Sequence, residues 1–316
     1  MLTLPMCGVI KKYFPGCEII FLGRTYTRAV IECSSHVDHF ENWDDWKDTN
    51  PQNQIDQLSK WKADVIIHVF PRKEILWVAK RARISWRIAT GRRLQTITKC
   101  NKLVFFTRKN STLHEAQLNM KLLSPLGIKD SFSIEELAGL YGFDVPQSVS
   151  AVQVLGKAGM DIDLKSNKRS IVLHPLSQGS AVEWGLHNFQ SLIDLLDPDL
   201  FDVFITGTKA EGDRISQKHK WSGKHVHDLC GVLSLNELIV FISRCDVLIA
   251  ASTGPLHIAA ALGIKTIGLY SPKRPIHPGR WAPIGSNAGV IVAKEHPAKG
   301  EYLQISAAVV LESIGA

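Results

Sequence analysis

Short runs of apolar residues alternate along the chain with stretches in which apolar side chains recur every three or four positions. The first pattern is typical of buried strands and the second of helices that pack on a sheet. The predicted strands are residues 18–22, 37–40, 64–70, 85–88, 170–174, 201–206, 246–250 and 266–270. The predicted helices are residues 4–13, 26–33, 74–81, 113–124, 134–141, 187–195, a segment from 211, 235–243 and 256–262. This alternation predicts parallel sheets with helices on both faces.

The alternation weakens between residues 143 and 168, where polar residues, Gly and Pro interrupt the apolar pattern, although residues 152–155 keep some of it. A chain of 316 residues is long for one core and sufficient for two domains of ~150 residues. We therefore expect two doubly wound α/β domains, residues 1–150 and 151–316.

The composition is that of an ordinary globular chain, with 45% hydrophobic and 21% charged residues. No apolar stretch reaches the ~18–20 residues that span a bilayer, and no basic region precedes the first apolar residues as in a signal peptide. Six cysteines are scattered without a Cys-x-x-Cys pair, which argues against a zinc site or a disulfide framework. No carboxylate cluster suits Mg²⁺. We expect a cytoplasmic protein without a bound metal or cofactor.

The formal net charge of +7 indicates an acidic partner. Much of the positive charge lies between residues 72 and 109. No nucleic-acid-binding motif accompanies it, so we expect no nucleic acid. A phosphorylated glycolipid or an anionic membrane surface would account for the charge, and a solvated basic face is the alternative.

The most informative segment is residues 246–285. A buried strand leads into Ser252, Thr253, Gly254 and Pro255, and an Ala-rich helix and a second strand follow. Gly allows a close turn and Pro suits the first helical turn, so free backbone N–H groups point out at the positive end of the helix dipole. Such a turn can receive a phosphate, although an ordinary strand–helix connection has the same local pattern.

Residues 252–257, Ser-Thr-Gly-Pro-Leu-His, and the Ala-rich helix that ends at Gly263 resemble the C-terminal signature of the heptosyltransferase-like glycosyltransferases, glycosyltransferase family 9. The resemblance implies two Rossmann-like domains facing a cleft (the GT-B architecture). It also implies inverting transfer of heptose or a related sugar from a nucleotide-diphosphate sugar such as ADP-heptose to a lipopolysaccharide core or similar anionic glycolipid, with peripheral contact with the inner membrane. A sugar-nucleotide-binding protein without turnover is the competing function.

The same resemblance implies which residues bind each substrate. The implied donor-binding residues are Ser177, Ser180, Gly207, Glu211, Ser252, Thr253, Gly254, Pro255 and His257. The implied acceptor-binding residues are Arg72, Arg87, Arg92 and Arg93. A carboxylate at Glu211 can accept both hydrogens of the donor ribose diol, and a helix-start Glu favoured by the dipole is the alternative. His257 either touches a donor phosphate or packs beneath the turn.

Two positions depart from the family pattern at the donor side. Family members commonly place a Lys two residues before the tryptophan at 184 to meet the donor phosphates, and here that position is Val182, followed by Glu183. Ser252 stands where the family often has an Asp that contacts the donor sugar. A neutral hydroxyl binds a sugar more weakly than a carboxylate does.

A third departure concerns the N-terminal domain. Family members begin with a strand that leads into Gly-Asp, and this Asp is the expected general base. Aligned on Leu2-Thr3-Leu4-Pro5, both fall ahead of Met1. We therefore expect the domain to lack its first, central strand and the usual base, and we assign no catalytic residue. A truncated gene product and a non-catalytic paralogue are the two explanations.

Overall fold

The computed structural model describes residues 1–109, 111–147, 149–157 and 168–315. The chain divides into two compact units, Leu2–Gly142 and Phe143–Ala316. Both units are α/β, and every strand pair in the described ranges is parallel. The division falls a few residues ahead of the boundary drawn from the sequence at 150/151.

The first unit consists of short helices and strands. Its helices are α1 (Leu4–Tyr13), α2 (Arg28–Ile31), α3 (Pro51–Ser59), α4 (Lys73–Arg81), α5 (Leu94–Ile97), α6 (Glu115–Met120) and α7 (Ile134–Ala138). Its strands are β1 (Ile20–Gly23), β2 (His39–Asn42), β3 (Val65–Ile67), β4 (Trp86–Thr90) and β5 (Lys102–Val104). They form two separate sheets, β1-β2 and β3-β4-β5.

Two helices of this unit, α1 and α4, begin and end close to the bounds predicted from the sequence. Pro5 lies in the first turn of α1, where its missing N–H removes no helical bond. In α4, Glu74 in the first turn and Lys80 and Arg81 in the last complement the helix dipole. Leu76 and neighbouring apolar side chains of α4 are buried on one face, because the apolar positions follow the helical period.

The second unit is a single doubly wound sheet with its helices. Its helices are α8 (Ala151–Lys157), α9 (Leu186–Leu195), α10 (Lys209–Ser216), α11 (Leu235–Ile242), α12 (Gly254–Ala261), α13 (Pro278–Trp281) and α14 (Ala307–Ile314). Its strands are β6 (Arg169–His174), β7 (Phe201–Ile205), β8 (Val226–Asp228), β9 (Val247–Ala251), β10 (Lys265–Tyr270) and β11 (Ala288–Val292). The strand order is β11-β10-β9-β6-β7-β8, so the direction of winding reverses between β6 and β9.

The core of the second unit lies around these central strands. All five residues of β9 are buried, as expected for a parallel strand covered on both faces. Asp246 Oδ2 accepts hydrogen bonds from the backbone N–H and the hydroxyl of Ser170, which joins the starts of β9 and β6. Trp184, fully buried, donates its indole N–H to the Ile305 carbonyl at 2.8 Å.

The structure corrects several predicted boundaries. The helix predicted over 26–33 is a 3₁₀ turn, Thr25–Thr27, followed by α2. The helix predicted over 113–124 is α6 followed by a 3₁₀ segment, Lys121–Leu126, which contains Pro125 and cannot keep the α-helical bond pattern there. The strand predicted over 64–70 is only β3, because the chain turns where Val69 N–H donates to the Ile67 carbonyl.

Several elements were not predicted from the sequence: α3, α5, α8, α13, α14, β5, β8 and β11. The strands β5 and β8 have three residues each, too few for a periodic signal. Among the described helices, none is both long enough and apolar enough to cross a membrane.

Candidate functional site at the carboxyl edge of the second sheet

The site lies where β9, β6 and β7, adjacent strands of the second sheet, reach their carboxyl ends. Ser252 and Thr253 follow β9, the loop that contains Ser177 follows β6, and Gly207 lies just beyond the end of β7. The winding reverses between β6 and β9, and in open α/β sheets ligands bind at this switch point. The tertiary structure therefore places the loops with most of the predicted donor-binding residues at one edge.

The turn between β9 and α12 leaves polar groups without protein partners. Thr253 is the N-cap residue of α12, but its side chain makes no cap bond. Its hydroxyl oxygen is buried and has no hydrogen-bond partner among the described residues. Pro255 has no N–H, and the N–H groups of Gly254 and Leu256 have no acceptor within the helix, since they belong to its first turn. The turn thus offers a hydroxyl and two backbone donors to an anion.

Gly254 keeps the approach to this turn open. The residue is exposed, and a Cβ atom built on it would meet no protein atom within 4 Å. Pro255 follows it within the first turn of α12. A side chain at 254 would occupy only the space in front of the helix, where a ligand would bind.

The loop after β6 is held closed by Glu183. Its Oε1 accepts hydrogen bonds from the backbone N–H of Ser177 at 3.0 Å and from the Ser177 hydroxyl at 3.2 Å. The Ser177 hydroxyl also donates to the Ala181 carbonyl, so this serine is used to hold the loop. Ser180 is exposed, and its hydroxyl donates to the Ser252 carbonyl at 3.3 Å, which links this loop to the turn before α12. Glu183, which belongs to a departure from the family pattern, therefore has a structural role in this loop.

Glu211 takes part in capping the N-terminus of α10. Its Oε2 accepts from the backbone N–H and the hydroxyl of Thr208, and its own N–H donates to that hydroxyl. This is a capping box, so Glu211 has a structural role at the helix start. The ribose-binding role stays a prediction. Gly207 is tightly packed, because a Cβ there would lie 3.1 Å from Cys230 Sγ and 3.2 Å from Glu211 Cβ and would push these side chains by a few tenths of an ångström.

Two polar residues of this edge, His174 and Thr206, were not identified from the sequence as site residues. His174, the last residue of β6, is buried, and its Nδ1 lies 3.1 Å from the Thr206 hydroxyl. Burial lowers the pKa of His174 below its ordinary value, and the carboxylate of Glu211 opposes this shift. The sequence did contain a signal for His174, because this histidine ends an apolar strand and ligands bind at the carboxyl ends of such strands.

His257 lies in α12 and is buried. Its backbone N–H donates to the Thr253 carbonyl at 3.4 Å, the first hydrogen bond of the helix. Both interpretations of its side chain, contact with a phosphate and packing beneath the turn, stay predictions.

The predicted acceptor-binding arginines do not all come together. Arg72 caps α4 after β3, and Arg92 and Arg93 follow β4, so these exposed side chains share the carboxyl edge of the β3-β4-β5 sheet. Arg87 lies near the other end of β4. Its guanidinium donates to the carbonyl of Lys99 at 2.8 Å and to that of Ile84. The structure therefore places Arg87 apart from the other three, in a bracing role between loops.

Two exposed aromatic residues share the edge with these arginines. Phe70 follows β3 and is 75% exposed, with the Arg72 guanidinium 4.8 Å from its ring centroid. Phe105 follows β5 and is 73% exposed, and its ring leaves no room for a Cβ at Gly91. Exposed aromatic rings beside arginines combine apolar and cationic contacts on one surface. In the described part of the chain no group of three or more His, Cys, Asp or Glu residues could hold a metal ion.

The chain was compared with known proteins. The family model for glycosyltransferase family 9 (heptosyltransferase) matches residues 77–305. A Haemophilus influenzae protein classed as a glycosyltransferase is 27% identical over 290 residues, which cover 90% of this chain and 82% of the relative.

Solved structures of the same class share the fold. A glycosyltransferase family 9 protein from Veillonella parvula superposes with a TM-score of 0.77 at 18% identity, covering 99% of this chain and 92% of that chain. The E. coli ADP-heptose lipopolysaccharide heptosyltransferase II superposes with a TM-score of 0.75 at 15% identity, covering 99% and 93%. The match of the family model spans more than half of the sequence and includes every residue of the turn between β9 and α12, and the chain accordingly belongs to glycosyltransferase family 9.

Proposed function

We propose that this transferase moves heptose or a related sugar from a nucleotide-diphosphate donor of the ADP-heptose type to an anionic lipopolysaccharide core or similar glycan, with inversion at the anomeric carbon. The observation that carries the proposal is the turn between β9 and α12, where, among the described residues, a buried hydroxyl has no hydrogen-bond partner and two backbone N–H groups have no acceptor within the helix. The related E. coli structure, that of an ADP-heptose heptosyltransferase, supports the donor type.

Sugar transfer requires the donor site mainly to stabilise the departing diphosphate. As the acceptor oxygen attacks the anomeric carbon, negative charge develops on the departing diphosphate. Donors fixed by the fold at the start of α12, together with the dipole of this helix, are oriented before the reaction, so they stabilise that charge without reorganising. Thr253 and Gly254 would hold the leaving group, and Ser180 would orient the loop beside it.

The acceptor half of the proposal rests on the first unit. Arg72, Arg92 and Arg93 are exposed at the carboxyl edge of the β3-β4-β5 sheet. Guanidinium groups bind phosphate and carboxylate oxygens in pairs, which suits a phosphorylated core saccharide. The same positive charge supports peripheral contact with the anionic cytoplasmic face of the inner membrane.

A direct assay tests the function. We expect the protein to bind ADP in preference to UDP and GDP by calorimetry, and to form a heptosylated product, detected by mass spectrometry, from ADP-heptose and a phosphorylated core oligosaccharide. Binding of ADP-heptose without product would favour the competing function of a sugar-nucleotide-binding protein. Absence of binding to any of the three nucleotides would contradict the proposed donor site.

The arginine edge provides a separate prediction. Replacing Arg72, Arg92 and Arg93 by Gln is expected to weaken binding to phosphorylated core oligosaccharide at least about tenfold at low salt, with a smaller effect above about 0.5 M salt because the charges are exposed and screened. Equilibrium binding measured across a salt series checks this.

The matched control removes three charges elsewhere. Lys218, Lys220 and Lys224 are exposed on the second unit, and their replacement by Gln changes the net charge equally. Equal weakening by both triple variants would show a general charge effect and place the acceptor away from the arginine edge.

A further inference from the structure

A basic loop, residues 271–281, follows β10 at the carboxyl edge of the second sheet. It contains Lys273, Arg274 and Arg280, and the sequence has no acidic residue from Val247 to Lys294. The side chains of Lys273 and Arg274 are exposed. The segment that forms β9, α12, β10 and this loop therefore contributes positive charge and no carboxylate side chain to this edge.

The basic loop starts beside the turn between β9 and α12. Leu269 of β10 pairs with Ala251 of β9, so the loop and the turn leave neighbouring strands at the same edge. Burial raises the pKa of Tyr270, and a hydrogen bond with the Ser252 side chain opposes this rise. The Tyr270 hydroxyl also donates to the Trp281 carbonyl at 2.5 Å. Tyr270 therefore joins the end of the basic loop to the start of the turn.

Contacts within the basic loop hold its backbone in place. The Ser271 hydroxyl accepts from Lys273 N–H at 3.2 Å, and the Trp281 indole N–H donates to the Pro275 carbonyl at 2.9 Å. Three of the residues from 272 to 278 are prolines, which restrict the backbone further. A loop that is ordered before its ligand arrives loses little conformational entropy on binding.

Basic side chains converge within this loop. Burial lowers the pKa of His277, and the charges of Arg274 and Arg280 lower it further, so both guanidinium groups lie near its ring. Like charges that are held close together repel one another, and an anion bound between them removes that repulsion. The loop is therefore suited to an anionic ligand.

The donor side of the site needs a cation that its usual position does not supply. Val182 stands where family members commonly have a Lys for the donor phosphates, and its side chain packs against the hydrophobic core of the second unit. The groups that the turn offers, the Thr253 hydroxyl and backbone N–H groups, are neutral. Lys209, at the start of α10 on this edge, pairs with Asp213 at 3.2 Å. A charged donor binds phosphate oxygens more strongly than a neutral one does.

We infer, on the basis of the proposed function, that the basic loop binds the diphosphate of the donor, with Lys273 and Arg274 replacing the cation that is absent at Val182. The two side chains contact the phosphate oxygens from the β10 side, and the turn at Thr253 contacts them from the β9 side. The basic loop is thus a second part of the donor site.

Nucleotide binding measured by NMR titration tests this role. Replacing Lys273 and Arg274 together by Gln is expected to weaken the binding of ADP at least about tenfold. The binding of adenosine, which has no phosphate, is expected to stay within about twofold. The matched control is the double replacement of Lys220 and Lys224 by Gln, which removes the same charge from exposed positions ahead of β8, at the opposite edge of the sheet. Thermal unfolding shows whether each variant is folded.

A restored cation provides a second test. In the variant with Gln at 273 and 274, Val182→Lys is expected to recover ADP affinity at least about threefold, because the aliphatic part of Lys can cover the core while its ammonium group reaches solvent. Val182→Gln in the same background is the uncharged control. Absence of recovery with Lys in a folded variant, or equal recovery with Gln, would overturn the assignment of the loop as the replacement for that cation.

The outcomes separate this inference from the proposed function. Unchanged ADP affinity after the loss of Lys273 and Arg274 would overturn the inference alone, because the wild-type chain would still bind ADP at the turn. Equal weakening by the Lys220 and Lys224 control, or an equal loss of adenosine binding, would overturn it as well, in favour of a general effect of charge or folding. Absence of binding of ADP, UDP and GDP to the wild-type chain would overturn both.

Discussion

Replacing Thr253 and Gly254 together by Val is expected to lower the affinity for ADP at least about tenfold, or 1.4 kcal/mol, without loss of stability. The Thr253 hydroxyl is buried and has no hydrogen-bond partner among the described residues, so its removal breaks no hydrogen bond seen there. At 254 a new Cβ meets no protein atom within 4 Å, so the side chain projects only into the space in front of α12. Calorimetric titration with ADP measures the effect.

The single variants separate the two expected causes of weaker ADP binding. Thr253→Val alone tests the hydroxyl as a hydrogen-bond donor, and Gly254→Val alone tests the approach of the phosphates to the helix start. Thermal unfolding of each variant provides the control, because an unchanged midpoint shows that a lost affinity comes from the site. An unchanged ADP affinity in the folded double variant would exclude this turn as the donor site.

Gly285→Ala is expected to destabilise the second unit by about 2–3 kcal/mol, because the new methyl group overpacks a rigid contact. A Cβ at 285 would lie 2.2 Å from the carbonyl oxygen of Ala260 and 2.8 Å from its carbonyl carbon. These are backbone atoms of α12, which cannot move away without shifting the whole helix. For a unit of this size, the midpoint of thermal unfolding is expected to fall by roughly 5–10 °C.

Gly289→Ala is the matched control for this prediction. Its Cβ would be 3.6 Å from the Thr266 carbonyl oxygen, an ordinary contact on the neighbouring strand. We expect little change in its unfolding midpoint. Because α12 contains the start of the donor site, Gly285→Ala should also weaken ADP binding. Equal unfolding midpoints for the two variants, measured by differential scanning calorimetry, would show that α12 can shift with little loss of stability.

The sequence predicted the central strands of the second unit better than the short strands of the first. In the second unit, strands such as β6 and β9 are long, apolar and buried on both faces, so local composition and tertiary burial agree. In the first unit, β3 and β5 have three residues each, and their strand conformation depends on pairing with β4, which no local pattern records.

For the candidate site too, the sequence predicted local features and missed those that depend on tertiary contacts. The turn at Thr253 and Gly254 was identified from the sequence because its chemistry is local, a small-residue turn followed by the start of a helix. The role of Glu183 was not, because its partner is the Ser177 backbone and the contact exists only once the loop closes. The family resemblance grouped Arg87 with Arg92, but most of β4 lies between Arg87 and that edge.

The sequence alone determined the alternation of strands and helices, the signature turn and the family resemblance, because each depends on residues that are neighbours in the chain. Only the tertiary structure decided which loops share the carboxyl edge, since that follows from the order β9-β6-β7 in the sheet. It also decided that β1 pairs with β2 and that β3 pairs with β4 in a separate sheet. Backbone hydrogen bonds between strands form across large sequence separations and do not depend on side-chain identity, so a linear pattern predicts that strands pair but not which edges stay unpaired.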